Sequence, residues 1–311
     1  MTRLKQILTI TLNPTIDMSS SVENVFPEHK LRCGSAFYEP GGGGLNVARA
    51  IRQLGGNARA LHFCGGPTGD ILRALLDKAA VEQEPVTIAG WTRESVTVLE
   101  TATGQQYRFV MPGPTFTDAE WRGALERIAK MEAIPEFVVA SGSLPLGVPA
   151  DFYAQLARIV RERGCRFVLD TSGPALSAAL QAGVFLIKPS LRELRVFAGR
   201  DLEGDAEQEK AAAAIVASGG AEVVVVSLGA GGALAASAAG CERLRSPTVP
   251  VRSKVGAGDS MVAGIVLGLA RDYSLNDAVR FGIAAGAAAV MMPGTGLCRR
   301  EDAERLFQQG G

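Results

Sequence analysis

The sequence predicts an α/β fold: a mostly parallel sheet covered by helices, with a second, small β-sheet lying over a cleft. Three observations carry this. From about residue 114 the chain alternates short apolar runs with stretches at helical spacing. Those runs are continuous, as strands are when helices cover both faces of a sheet. Two earlier stretches, about 13–40 and 90–112, show short polar–apolar alternation and turn residues instead. A length of 311 residues suits one large domain or two, with ample core.

Composition narrows the function classes. The 32 basic and 32 acidic residues cancel, so bulk attraction to nucleic acid or an anionic membrane is not expected. The apolar runs are Gly- and Ala-rich and broken by charge, and the first residues carry no leader-like apolar core, so no membrane span or secretory signal is expected. The five cysteines (Cys33, Cys64, Cys165, Cys241, Cys298) are scattered and form no C-x-x-C. They read as reduced thiols of a cytoplasmic protein, and only His29 and His62 are present to help build a zinc site.

Residues 7–12 predict a first buried strand, ended by Asn13-Pro14. The region that follows, to about Tyr38, contains Asp17 and reads as β-rich. Within it Lys30 and Arg32 flank Leu31, so on a strand both cations share a face; they are read either as solvated charges or as anion contacts. Gly41 to Gly44 then run into a helix-like stretch beginning Leu45-Asn46. Bare backbone leading into a helix is an anion- or sugar-binding signature, with Gly42 and Gly43 at its centre. It is not a phosphate loop of the Gly-Lys-Ser/Thr kind, and the G-x-G-x-x-G spacing of a dinucleotide site is missing. Asn46 either caps the helix or bonds a ligand hydroxyl.

After a strand at 58–63 and a helix at 71–76, residues 95–100 and 106–110 flank Thr103-Gly104 as a hairpin. Arg93 and Arg108 are candidate phosphate contacts or plain surface charges. The two β-rich insertions are expected to pair into one sheet, and an exposed sheet of that kind invites a second copy, hence a homodimer.

From 114 onward helices are predicted at 118–132, 151–163, 174–182 and about 205–218, and strands at 137–140, 167–170, 184–187 and 223–228. Ligands of such sheets sit beyond the carboxyl ends of the strands. Ser141, Asp170, Lys188, Glu193, Ser227 and Gly229 all fall there. Ser227 to Gly232, with Gly229 and Gly231, is a second glycine-rich turn suited to a nucleotide. Asp170 is equally a helix cap. Ser190 and Glu193 have the spacing of a capping box; the functional alternative is a Glu193 that holds Mg2+ through water.

The stretch Val255 to Ser260 and the apolar run to Ala270 organise the chain. Gly256 and Gly258 permit a tight turn with bare N–H groups, and the helix after it points its positive end back at them. Asp259 among those donors is either a helix N-cap or a carboxylate placed to take a proton from a hydroxyl while the amides hold negative charge.

Taken together, the glycine run with Leu45-Asn46-Val47-Ala48-Arg49-Ala50, Trp91-Thr92-Arg93, residues 106–113, Ser141 to Pro145, and Gly256-Ala257-Gly258-Asp259-Ser260 resemble the ribokinase-like carbohydrate kinases, specifically their phosphofructokinase B group. The resemblance spans nearly the whole chain and is closest to the 6-phosphofructokinase branch, because four plain glycines precede Leu45-Asn46. It implies one three-layer α/β/α domain over 1–311 whose small β-sheet is a lid and dimer interface. It also implies Mg2+-dependent transfer of the ATP γ-phosphoryl group to a sugar phosphate, foremost fructose 6-phosphate, with tagatose 6-phosphate and fructose 1-phosphate as alternatives and a non-catalytic sugar-phosphate sensor as the rival class.

Carried over by position, Asp259 resembles the general base and the amides of Gly256, Ala257 and Gly258 the anion hole. Asp17, Gly42, Gly43, Asn46 and Ser141 fall where the substrate sugar is held, and Lys30, Arg32 and Arg93 where its phosphate is. Lys188, Ser190, Glu193, Ser227, Gly229 and Gly231 fall on the nucleotide side, with Glu193 organising Mg2+. Two departures stand out: Ser190 replaces the family's Asn, and Lys254 replaces a small hydroxyl residue. Some members also bind a monovalent cation, such as K+, near this turn and residues 289–296.

Overall fold

Five consecutive buried residues, Ile7–Thr11, form β1, which has helices over both faces and so needs no polar side. The computed structural model describes residues 5–132 and 135–309; residues 1–4, part of the stretch read for a leader, lie outside them. After β1 come β2 (Thr15–Val22), β3 (Phe37–Gly41), α1 (Gly43–Gln53), β4 (Arg59–Cys64), α2 (Gly66–Lys78), β5 (Glu82–Thr87), β6 (Arg93–Glu100) and β7 (Gln106–Val110). The regular α/β half follows as α3 (Asp118–Ala129), β8 (Phe137–Ser141), α4 (Phe152–Glu162), β9 (Arg166–Asp170), α5 (Gly173–Ala182), β10 (Val184–Ile187), α6 (Leu191–Ala198), α7 (Asp205–Ala217) and β11 (Ala221–Ser227). A hairpin of β12 (Ala233–Ser237) and β13 (Gly240–Leu244) precedes α8 (Ala257–Ala270), α9 (Leu275–Val290) and α10 (Arg300–Gln309).

The large sheet runs β13-β12-β11-β10-β9-β8-β1-β4-β5, parallel from β11 to β5 and antiparallel between β11 and β12 and between β12 and β13. One core, around Leu45, Ile51, Val262 and Ala285, packs α1, α2, α8, α9 and α10 on one face. A second, around Trp121, Phe152, Leu156 and Ile215, packs α3 to α7 on the other. The predicted α/β/α layering is therefore present. Helices α8 and α9 approach backbone to backbone: a Cβ on Gly264 would lie 2.7 Å from Gly282 Cα.

Four features differ from the sequence reading. The strand β5, the β12–β13 hairpin and helices α9 and α10 are not anticipated. The helix α9 is Ala- and Gly-rich and buried on nearly every side, so it shows no apolar stripe to read. Residues 23–36 are irregular, so Lys30 and Arg32 are not on a strand. Pro27 and the positive φ of Glu28 (62°) interrupt the backbone there, and three alternating residues give no ladder partner.

The two insertions do pair. The small sheet has order β3-β2-β6-β7, with β2 and β6 parallel from Thr15↔Arg93 to Val22↔Glu100. The hairpin between β6 and β7 turns at Thr103-Gly104, with Gly104 at φ 72°.

Candidate active site

The chain leaves β1 toward β4 and leaves β8 toward β9, in opposite directions along the sheet. Neighbouring strands that diverge in this way open a crevice at their carboxyl ends. The N-terminus of α1 enters it. A Cβ on Gly43 would lie 2.2 Å from Ser141 Oγ, and one on Gly44 would lie 2.5 Å from the Ile10 carbonyl oxygen. These two glycines are thus demanded by the contact of α1 with β8 and β1, whatever else they bind. Gly42, at φ 112°, begins the helix and no side chain caps it.

The α8 N-terminus faces the same crevice. Gly256 at φ 76° caps a helix of 14 residues, and no side chain supplies a cap. The first helical hydrogen bond runs from Ser260 N–H to the Gly256 carbonyl (2.8 Å), so the amides of Ala257, Gly258 and Asp259 precede the ladder. Asp259 is the third residue of the helix and does not cap it. Its Oδ2 instead accepts a hydrogen bond from Asn46 Nδ2 at 2.9 Å. Asp259 is therefore not the N-cap of α8, and its carboxylate is bonded to α1 across the crevice. Burial, reinforced by the charge of Asp170, pushes its pKa up to about 7, against the opposing pull of Asn46, Lys188 and Ser141. A carboxylate titrating near neutrality is well matched to accept a proton from a hydroxyl.

Lys188 follows β10 and is 5% exposed. Its Nζ lies 3.4 Å from Asp170 Oδ1 at the end of β9. The ammonium also faces the α8 turn, 3.6 Å from where a Cβ on Gly258 would stand. Burial pulls Lys188 down, but the carboxylates of Asp170, Glu193 and Asp259 outweigh it and hold the pKa above the ordinary lysine value. A fixed cation beside open amides is a site for an anion.

The capping box between Ser190 and Glu193 forms: Glu193 N–H donates to Ser190 Oγ (3.2 Å), and Glu193 Oε2 accepts from the Ser190 N–H (2.7 Å). Oε1 of Glu193 has no such bond among the described residues. Among the described residues no group of three or more His, Cys, Asp or Glu side chains is arranged to hold a metal. A single carboxylate oxygen of this kind suits a hydrated divalent cation reached through water rather than one enclosed by side chains. Ser190 and Ser227 pair as a parallel bridge, and the Ser227 N–H donates to the Pro189 carbonyl (2.9 Å). Gly229–Gly231 form an exposed single 3-10 turn beside them, with nothing within 4 Å of a Cβ placed on Gly229. Lys254 is exposed.

On the small-sheet side, burial lifts Asp17 to a pKa of about 6, with Arg93, Arg108 and Arg49 pulling it back. A Cβ on Gly41 would lie 2.1 Å from Asp17 Oδ2, so Gly41 makes room for that carboxylate. Arg93 donates to the carbonyls of Asn13 (3.1 Å) and Met111 (3.4 Å). Lys30 and Arg32 sit on the exposed 23–36 segment and make no hydrogen bond or ion pair among the described residues.

Residues 8–302 match the model of the pfkB family carbohydrate kinases. The chain belongs to that family. An ATP-dependent 6-phosphofructokinase isozyme 2 of Mycobacterium tuberculosis (strain CDC 1551 / Oshkosh) is 49% identical to this pfkB kinase over 303 residues, 97% of this chain and 89% of the relative. The protein of the same description from Escherichia coli (strain K12) is 44% identical over 303 residues, 97% and 98% of the two chains. The crystal structure of phosphofructokinase-2 from Escherichia coli in complex with potassium superposes with a TM-score of 0.94 at 43% identity, covering 98% and 99% of the chains. Its complex with fructose-6-phosphate gives 0.92 at 42% identity, with the same coverage.

Asp170 is legible as a strand-end candidate, but its pairing with Lys188, on a different strand, is not. Glu39 and Arg49 are invisible as a pair: Arg49 is 8% exposed, yet an arginine within a helical pattern reads as surface. The available signal is its place three residues after Asn46, on the same side of α1.

Proposed function

We propose that this kinase transfers the γ-phosphoryl group of ATP to the 1-hydroxyl of fructose 6-phosphate. The observation that carries the chemistry is Asp259, held by Asn46 at 2.9 Å beside the uncapped amides of α8. The substrate follows from relatives at 49% and 44% identity, both ATP-dependent 6-phosphofructokinases over almost the whole chain.

In this reading Asp259 takes the proton of the attacking hydroxyl. The amides of Gly256, Ala257 and Gly258, with the Lys188 ammonium, hold the charge on the transferring group. Positioning and charge stabilisation are what phosphoryl transfer chiefly requires. Asp17, Gly42, Gly43, Asn46 and Ser141 hold the sugar, and Lys30, Arg32 and Arg93 its phosphate. For Lys30 and Arg32 this requires the 23–36 segment to lie against the sugar phosphate in the complex. Ser190, Glu193, Ser227, Gly229 and Gly231 border the nucleotide. Mg2+ bound with ATP would neutralise phosphate charge, and Glu193 would hold it through water. A K+ ion near residues 289–296 is supported by the potassium complex of the structural relative and by the packing of that loop. Leu297 Cδ2 lies 2.6 Å from where a Cβ on Gly256 would stand, so order there bears directly on the amides.

The chain is read as one kinase domain over 1–311, with the small sheet, built from about 13–40 and 90–112, as its lid. Phe37, Phe109 and Val110 of that sheet are 68%, 52% and 60% exposed, which supports a homodimer through the lid. Sedimentation of the purified protein checks this; a monomer at assay concentration removes it. No helix among the described residues is long and apolar enough to cross a membrane. The cytoplasm is the proposed compartment, where the five free cysteines stay reduced.

The deciding assay is ADP release from ATP and Mg2+ with fructose 6-phosphate, fructose 1-phosphate and tagatose 6-phosphate in parallel. The highest kcat/KM is expected for fructose 6-phosphate. A preference for another sugar refutes the substrate and leaves the mechanism. Ligand binding without turnover on any of them refutes the kinase reading in favour of a sensor.

A further inference from the structure

A line of contacts runs from the small sheet to Asp259 through Arg49, which the proposed transfer does not use. Arg49 Nη2 donates to Glu39 Oε1 at 2.8 Å, and Nη1 donates to the Pro40 carbonyl at 2.8 Å and to Asn46 Oδ1 at 3.2 Å. Asn46 Nδ2 donates in turn to Asp259 Oδ2 at 2.9 Å. The second oxygen of Glu39 accepts from the Thr295 hydroxyl, in the loop after α9.

A guanidinium has donors and no acceptor, whereas a carboxamide has one face of each kind. The oxygen of Asn46 must therefore face Arg49, and its NH2 group must face Asp259. The two ends of an amide are nearly the same size, so packing alone leaves the choice open. The reversed amide would set an oxygen against the Asp259 carboxylate, which repels the ionised form and favours the protonated one. A protonated Asp259 cannot take a proton.

We infer that Arg49 is a positioning residue for phosphoryl transfer, holding the Asn46 amide in the one orientation that donates to Asp259 and tying that orientation to Glu39 of the small sheet. The role rests on the reading of Asp259 as the base. Glu39 lies directly opposite Asp17 in the β2–β3 register, so the strand that carries a proposed sugar contact also anchors the arginine. The base is thereby set from the substrate side of the crevice.

The test compares Arg49→Lys, which remains donor-only, with Arg49→Gln, which can present either an oxygen or an NH2 group to Asn46. Arg49→Gln is expected to lose about 10–100-fold in kcat, the scale of a small misplacement at a reacting centre, with KM for ATP little changed. Its acid limb in the kcat–pH profile should move to higher pH, and Arg49→Lys should recover much of the loss. Equal impairment of the two variants, or a Gln variant that differs from wild type only in melting temperature, overturns the inference. If Arg49→Gln fails to fold, Arg49→Met, which donates nothing to Asn46, is compared alone and with Asn46→Ala: groups acting through one another are non-additive, so the Met change should cost kcat where Asn46 is present and no further kcat without it. The same factor lost in both backgrounds overturns it. Asp259→Asn serves as the control. Near-normal turnover there removes the base reading itself, whereas an inactive Asp259→Asn with additive Arg49 effects removes only the role of Arg49.

Discussion

Lys188 Nζ stands 3.4 Å from Asp170 Oδ1, with only 6% and 17% of the two side chains exposed. A pair so enclosed adds little net stability, because desolvation offsets its attraction, yet removing one partner strands the other charge. Lys188→Met is expected to lower stability by about 3–5 kcal/mol, the usual cost of an uncompensated buried charge. Adding Asp170→Leu should recover most of that loss without restoring turnover. Urea midpoints of the single and double variants check both statements; a double variant no more stable than the single contradicts them.

The rate should follow the ionisation of Asp259. With its pKa pushed to about 7, kcat is expected to rise with pH through that value and to fall below it. Asp259→Asn should lose about 10²–10⁴-fold in kcat, the usual worth of general-base catalysis, and show no such limb. Stability should move the other way. The folded-state pKa lies above the ordinary 3.8, so the contribution of this group is complete below that value and is lost as pH rises through about 7. The Asn variant should therefore gain melting temperature over wild type at pH 8 and much less at pH 5. A constant difference across that range would detach the titration from Asp259.

An acid-side loss of stability is expected from His62. It is fully buried on β4, and burial drives its pKa from 6.5 down to about 4. The Nδ1 atom meets the Ala60 carbonyl at 3.2 Å, and Nε2 has no partner among the described residues. A depressed histidine must be charged on unfolding, so stability holds above pH 6.5 and drains away as pH falls toward 4. The full effect is roughly 3 kcal/mol at about 1.36 kcal/mol per pKa unit. His62→Gln should flatten the unfolding free energy between those pH values; an unchanged slope would place the effect elsewhere.

The glycines of the site should differ sharply in tolerance. Gly43→Ala sets a Cβ 2.2 Å from Ser141 Oγ and 2.8 Å from the Ser141 carbonyl carbon, so α1 must shift off β8 and carry Asn46 with it. A loss in kcat/KM of about 10²-fold or more is expected, as for other displacements of about an ångström. Gly229→Ala meets open space, and its φ of 60° costs only about 1–2 kcal/mol for an L-residue. Steady-state kinetics should show its effect confined to KM for ATP. Similar losses in the two variants would mean that the Gly43 contact relaxes.

Much of this arrangement is legible in the sequence, for a physical reason. Continuous apolar strands declare a parallel sheet, and a parallel sheet gathers its loops at one end, so Ser141, Lys188 and Ser227 can be placed together without coordinates. Local spacing fails where a residue has two uses. Whether Asp259 caps α8 or enters the crevice turns on a single position in the helix start, fixed by the left-handed conformation of Gly256 (φ 76°). Ser190 and Glu193 show that one spacing can satisfy a cap and leave an oxygen to spare. The strand placement of Lys30 and Arg32 fails, because alternation over three residues carries no information about pairing. Arg49 and Glu39 meet only after the small sheet has been built.

The pairing of β2 with β6 also has a bearing on how the molecule assembles. Thr15 and Arg93 stand side by side in register although the whole of β4, α2 and β5 lies between them in the chain. Each insertion alone supplies no more than a two-stranded ribbon, which is marginal in water. The small sheet therefore has no independent existence: it closes only once the strands and helices between its halves have brought the ends together, and that closure carries a loop-entropy cost. The surface proposed to hold the sugar phosphate should be the last part of the molecule to form and the first to open. Hydrogen exchange at Asp17 and Arg93 should accordingly outrun that at Val139 and Val225 by orders of magnitude, and a bound substrate should slow it more than any change in the core can.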